Sequence, residues 1–169
     1  MVNKFIYVTV VAVFLISFIS AASADDKESA NMASMKRFYT EVINQGNIDL
    51  LDDLCAVNFV EHEETPGFTP DREGVKKWFR VMRAAFPDLK FEVEFMFAKD
   101  DKVVTYITMT GTQKGPIMDM PASGKKMRVK AIDIVRFAPN GKAVEHWGVT
   151  DSGTMMQQLG AIPEKTAMK

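Results

Sequence analysis

The hydrophobic period of this chain changes once, at Pro87-Asp88, and that change sets the order of its elements. Before it, apolar residues recur at steps of three and four; after it, they alternate with polar ones. Residues 27–44 put Met32, Met35, Phe38, Val42 and Ile43 on one helical face. Gly46 ends that helix, and Asn47 can cap a second over 48–56 with Ile48, Leu51, Leu54 and Cys55 inward. Phe59-Val60 opens a short extended stretch into Glu61-His62-Glu63-Glu64. Thr69-Pro70 reads as the cap and first-turn proline of a third helix, which turns Val75, Trp78, Phe79, Met82, Ala85 and Phe86 inward. Beyond Pro87, Leu89, Phe91, Val93, Phe95 and Phe97 alternate with Lys90, Glu92 and Glu94, the pattern of a half-buried strand. Further strands are expected over 103–112, 126–137 and 142–150, with an irregular loop over 113–125, a hairpin turn at Pro139-Asn140-Gly141 and a last helix over 153–159. Helices first and hairpin-linked strands second mean an α+β fold. The economical packing is one strongly curved antiparallel sheet, curled into a cone around an apolar interior and laid against the N-terminal helices.

Residues 1–24 stand apart from this pattern. Lys4, an apolar run over 5–19 and the ending Ala22-Ser23-Ala24 make an export leader, a signal peptide. Cleavage after Ala24 would leave residues 25–169 as a single domain starting at Asp25-Asp26. The alternative is a retained anchor, because 5–24 is uncharged and long enough to span a bilayer. Either way the domain faces an oxidising space, periplasmic or secreted, and the lone Cys55 has no intrachain partner there. A buried structural thiol is expected. The 21 Lys+Arg and 22 Asp+Glu balance to a net charge of −1 without a basic stripe, which gives no basis for nucleic-acid binding. One cysteine also excludes a cysteine-built zinc site. No membrane role beyond the leader is expected, and a homo-oligomer is compatible with the composition.

Few residues can carry chemistry. Asp151 ends the last strand just before a helix, where it can serve as a general base at the rim of a curved sheet or as the helix N-cap. Asp133 shares a strand face with Met127, Val129, Ala131, Val135 and Phe137, so it either lines a cavity or pairs with a buried base. His62 and His146 are the only histidines. Strict alternation puts Glu145, Trp147, Val149 and Asp151 on one face and His146 on the other, unless a bulge intervenes. Neither histidine sits in a metal-ligand spacing, and no nucleophile-elbow or phosphate-loop motif occurs. Met118 and Met120 in the irregular loop can flank a pocket mouth or simply pack the loop.

The chain resembles the SnoaL-like polyketide cyclases, or ester cyclases, of the nuclear-transport-factor-2-like superfamily. The matching stretches run in order: Phe38-Tyr39 with Asn44-Gln45-Gly46-Asn47, Phe59-Val60-Glu61-His62, and Ala85-Phe86-Pro87-Asp88-Leu89. They continue through Gly111-Thr112-Gln113-Lys114-Gly115-Pro116, Pro121-Ala122-Ser123-Gly124-Lys125 and Asp133-Ile134-Val135-Arg136-Phe137. The last are Gly141-Lys142-Ala143-Val144-Glu145-His146-Trp147, Asp151 and Gln158-Leu159-Gly160. The resemblance implies a cone-shaped α+β fold with a deep apolar pocket and chemistry without metal or organic cofactor. It implies that an aspartate at the position of Asp151 removes a proton from a carbon acidified by carbonyls, so that the enolate can close a ring. His62, Asp133 and His146 would then orient or protonate the carbonyl oxygen, with Phe59, Trp147, Met118 and Met120 against the substrate. This chain departs from the characterised cyclases on one strand, where it has Ala131 and Asp133 in place of their Gln and His, and at His62, where they have Asn.

Two functions are therefore expected. One is acid/base catalysis on a small apolar carbonyl compound, a cyclisation or isomerisation. The other is a non-catalytic carrier or sensor that uses the same pocket.

Overall fold

The computed structural model describes residues 23–163. The export leader read from the sequence lies outside the described residues, apart from Ser23 and Ala24. Ser23 starts helix α1, Ala24–Arg37, by closing a capping box with Asp26. The same helical axis continues as a π-helical turn, Phe38–Asn44, which carries the buried Tyr39, Val42 and Ile43. A 3-10 turn, Ile48–Leu50, leads into the short helix α2, Leu51–Leu54. Cys55 then opens strand β1, Cys55–Glu61, rather than ending a helix as the sequence pattern suggested. Helix α3, Arg72–Ala85, is capped by Asp71, whose carboxylate accepts from Gly74 N at 2.8 Å. The expected cap Thr69 instead donates its hydroxyl to Asp71. Two residues of outward slip put the proline outside the helix.

Strands β2 (Lys90–Lys99), β3 (Lys102–Thr112), β4 (Lys126–Phe137) and β5 (Ala143–Thr150) form the antiparallel meander. The sheet order is β1-β5-β4-β3-β2, with β1 added parallel to β5, so the sheet is mixed; it is not closed into a barrel. Its inner face packs on the helices through Val103, Ile107, Met127, Val129, Val135 and Phe137, all nearly inaccessible. Helix α4, Ser152–Leu159, ends at Gly160 in the left-handed region (φ 83°), which glycine adopts without a Cβ penalty. The α4 helix serves β4 where β5 has already ended. The Gln158 side chain accepts from Arg128 N at 2.6 Å and donates to Arg128 O at 3.1 Å, replacing a missing strand neighbour.

Strict alternation fails in β2. A bulge between Val93 and Phe95 leaves Glu94 as the extra residue. Phe91 and Val93 face the core, but beyond the bulge Met96 and Ala98 do, and Phe95 and Phe97 turn outward, about half exposed. Together with Ile132 and Val149 they leave the outer face of the sheet partly apolar. Among the described residues no helix is long and apolar enough to cross a membrane.

Candidate functional site

Between the inner face of the sheet and helices α1 and α3 lies a cavity of about 640 Å³. Its walls are apolar: Phe38, Phe59, Phe68, Trp78, Phe79 and Phe91 supply aromatic surface, and Ile107, Met109 and Val135 line the sheet side. The wall residues that are themselves exposed come from the segment after β1 (Glu64 to Pro70), from Met118 and from Ser152, so the opening lies there.

Polar groups gather on the sheet wall. Asp133 and His146 are placed there by register. Asp133 pairs with Gly148 and His146 with Val135 across β4 and β5, so both side chains share the inner face. His146 Nε2 lies 3.3 Å from Asp133 Oδ1, and His146 Nδ1 lies 2.7 and 2.8 Å from the two oxygens of Glu61. Glu61 is brought there by the parallel pairing of β1, where it is the register partner of His146. Behind them the buried Tyr39 donates its hydroxyl to Asp133 Oδ2 at 2.6 Å. Burial alone would pull the His146 pKa down; the hydrogen bonds and charges of Asp133 and Glu61 outweigh it and hold the ring at about 10, an imidazolium at neutral pH. Burial, and then the charge of Asp133, pushes the Tyr39 hydroxyl well above its ordinary value, so it stays a neutral donor.

Glu63 completes the polar wall. Its carboxylate accepts from the Thr150 hydroxyl at 3.4 Å. It fills the gap left by Gly148: a side chain on that glycine would overlap the Glu63 carboxylate and come within 2.9 Å of His146 Cε1. Burial raises the Glu63 pKa above the usual carboxylate range, the positive His146 lowers it, and the charges of Glu61 and Asp133 raise it further. Cys55 also borders the cavity, but burial pushes its thiol up to about 12, which leaves it unreactive. Among the described residues no group of His, Cys, Asp and Glu has the arrangement of a metal site.

The structure brings together two of the four expected catalytic residues, Asp133 and His146. The other two are elsewhere. Asp151 lies on the face opposite His146, is exposed, and accepts from Thr154 N at 3.0 Å as the N-cap of α4. The alternation of β5 holds without a bulge from His146 to Thr150, and so carries Asp151 away from the cavity. His62 is exposed on the outer face, where its ring stacks on Trp147 at 4.7 Å between centroids. Trp147 therefore does not line the cavity. Phe59 does line it, buried, and Met118 borders it at the opening, but Met120 packs against the core instead. Glu61, Glu63 and Tyr39 were missed. Glu61 and Glu63 flank His62 at a spacing of two, so they share the face that His62 leaves, which was the available signal.

The family model for SnoaL-like polyketide cyclases matches residues 33–159. Among solved structures, TsrD of Streptomyces laurentii is 28% identical with a TM-score of 0.72, covering 79% of this chain and 97% of TsrD. IdmH of Streptomyces antibioticus is 30% identical with a TM-score of 0.66, covering 77% of this chain and 98% of IdmH. A SnoaL-like protein of Jannaschia sp. CCS1, at 24% identity and a TM-score of 0.73, covers 85% of this chain and all of its own, and shares the fold. No curated protein matches the chain. With a family match across three quarters of its length, on the fold that these structures share, the chain belongs to the SnoaL-like polyketide cyclase family.

Proposed function

We propose that the domain is a cofactor-independent acid/base catalyst, acting on a small apolar carbonyl compound in an isomerisation or an aldol-type ring closure. Family membership supports the cyclase or isomerase type of activity. The observation that carries the reading is the Asp133–His146 contact on the wall of an otherwise apolar cavity. Asp133 takes a proton from the carbon next to the substrate carbonyl. The His146 imidazolium, held by Glu61, stabilises the enolate oxygen that forms. The enolate carbon then adds to a second carbonyl within the substrate, whose oxygen takes the electron pair of its C=O bond and the proton held by Asp133, or the enolate is reprotonated at another position by Asp133. The apolar walls exclude water, which strengthens both electrostatic effects. In this reading the acid/base role belongs to Asp133, not to Asp151.

The test is deuterium wash-in from D2O at the activated carbon of a panel of aryl ketones and aryl diketones, followed by NMR. The wild-type protein is expected to accelerate exchange, and Asp133→Asn and His146→Gln are each expected to lower the rate by about a hundredfold or more. Equal rates in the wild type and both variants would reject catalysis. One observation favours the carrier reading: both ring nitrogens of His146 already have carboxylate partners. A ligand that co-purifies unchanged, with no exchange, would support it.

We also propose that the domain works outside the cytoplasm, periplasmic or secreted, after cleavage behind Ala24. The leader pattern supports this. An intact mass beginning at Asp25, found outside the cytoplasm, is the expected result; a mass retaining the leader would reject cleavage, and protein confined to the cytoplasm would reject export.

A further inference from the structure

The charge of the cavity wall restricts what it can hold. Among the described residues five charged ones line it, Glu61, Glu63, Glu64, Asp133 and His146, and no lysine or arginine does. One imidazolium faces four acids, so the wall carries an excess of negative charge, and an anionic ligand would meet no cation that is not already paired. The acids also differ in how well they are engaged. Glu61 holds His146 at 2.7 Å, and Asp133 accepts from both Tyr39 and His146. Glu63 has only a long contact with the Thr150 hydroxyl, although the chain gives it a dedicated recess by placing glycine at 148. Burial raises its pKa, and the only positive charge that offsets this among the described residues is that of His146, which Glu61 and Asp133 already hold. Six aromatic side chains line the same cavity, Phe38, Phe59, Phe68, Trp78, Phe79 and Phe91; aromatic ring faces attract cations once water is removed, and Phe68 already has Lys77 Nζ over its ring, 5.6 Å from the centroid.

We propose that the natural ligand of this cavity is an apolar molecule bearing a protonated or quaternary amine, with its cationic nitrogen held at Glu63 and its body against the aromatic walls. The proposal rests on the reading that this cavity is the substrate site, and names the class of substrate it takes. A cavity of about 640 Å³ lies within the usual range for small-molecule sites. A nitrogen at Glu63 leaves the rest of the molecule free to reach Asp133 and His146 on the same wall.

The test is calorimetric titration of the whole protein with three probes of matched size: naphthylethylammonium, naphthylethanol and naphthylacetate. The ammonium is expected to bind about tenfold or more tighter than the alcohol, and the acetate weakest. Glu63→Gln is expected to erase the preference for the cation over the alcohol, and Glu63→Asp to keep part of it. Gly148→Ala, which displaces the same carboxylate, gives a second route to the same loss should Glu63→Gln fold poorly. Equal binding of alcohol and ammonium, tighter binding of the acetate, binding of none of the three, or a cation preference that survives both variants would each overturn the proposal. Because the readout is binding, it is independent of deuterium exchange. Loss of exchange activity without loss of cation preference would reject the catalytic reading alone.

Discussion

At the scale of the residue, two aspartates exchange roles. The sequence pattern left Asp151 open between helix cap and base, and Asp133 between cavity wall and buried pair. The family resemblance pointed to Asp151. The outcome turns on one-residue parity along β5: the run from His146 to Thr150 stays in register with β4, so Asp151 ends on the outer side and its nearest use is the orphan N–H groups of α4. Asp151→Ala is then expected to lower stability by about 1 kcal/mol, and Asp151→Asn by only a few tenths, because asparagine caps as well. Both should retain deuterium-exchange activity, and loss of that activity with folding intact would return the base to Asp151. Asp133 gains from a partner that lies almost a hundred positions away in the chain and could not be read locally: the hydroxyl of Tyr39 at 2.6 Å. Removing it in Tyr39→Phe leaves a carboxylate less well solvated. A loss of about 1.5–3 kcal/mol in urea unfolding is expected, the range for a hydrogen bond to a charged group; no loss would show that the contact contributes nothing.

At the scale of the element, the helices, the order of strands and the place of the last helix were legible because amphipathic periods are strong local signals. The limits of β4, Lys126–Phe137, were legible because Met127, Val129, Ala131, Val135 and Phe137 recur at a spacing of two between the turn residues at Gly124 and Pro139. What was not legible follows from pairing. A bulge has no periodic signature, so Phe95 and Phe97 looked as inward as Phe91. Nor does a parallel edge strand announce its partner: the pairing of Glu61 with His146, which builds half of the site, joins segments 85 residues apart. Phe91 and Phe97 separate these two kinds of information. Phe91, buried at 7% exposure, should cost about 3–5 kcal/mol when truncated to alanine. Phe97, 52% exposed, should change stability by no more than about 0.5 kcal/mol as Phe97→Thr. Equal costs in chemical denaturation would mean that β2 runs without its bulge.

At the scale of the whole molecule, the fold encloses a cavity and a buried charge cluster, and both cost stability that the rest of the core must supply. The cluster makes that cost depend on pH, with a sign that can be worked out. His146 titrates at about 10 in the folded domain, against an ordinary value near 6.5. The folded state therefore holds this proton more tightly than the unfolded chain. Its contribution is whole below about pH 6.5 and is lost as pH rises through about 10. The groups facing the ring are Glu61 from β1, Asp133 from β4 and Glu63 from the segment after β1, with Tyr39 behind Asp133. Burial holds Glu63 above its usual value, so the folded state also binds this proton more tightly than the unfolded chain, and its contribution has the same sign, lost as pH rises. Tyr39, held neutral by burial and by Asp133, adds to the slope only above about pH 10. As pH rises towards 10 the imidazolium loses its proton and the carboxylates around it are left without a cation. Urea-unfolding free energies of the wild type should fall by more than about 1 kcal/mol between about pH 7 and 10. His146→Gln, which starts lower because the same carboxylates lack a cation at every pH, should show a shallower profile there, keeping only the late fall from Cys55, whose thiol burial holds at about 12 in the fold. A wild-type profile no steeper than the variant's would mean that His146 is neutral in the folded domain, and that Asp133 faces the cavity without the positive charge on which enolate stabilisation depends.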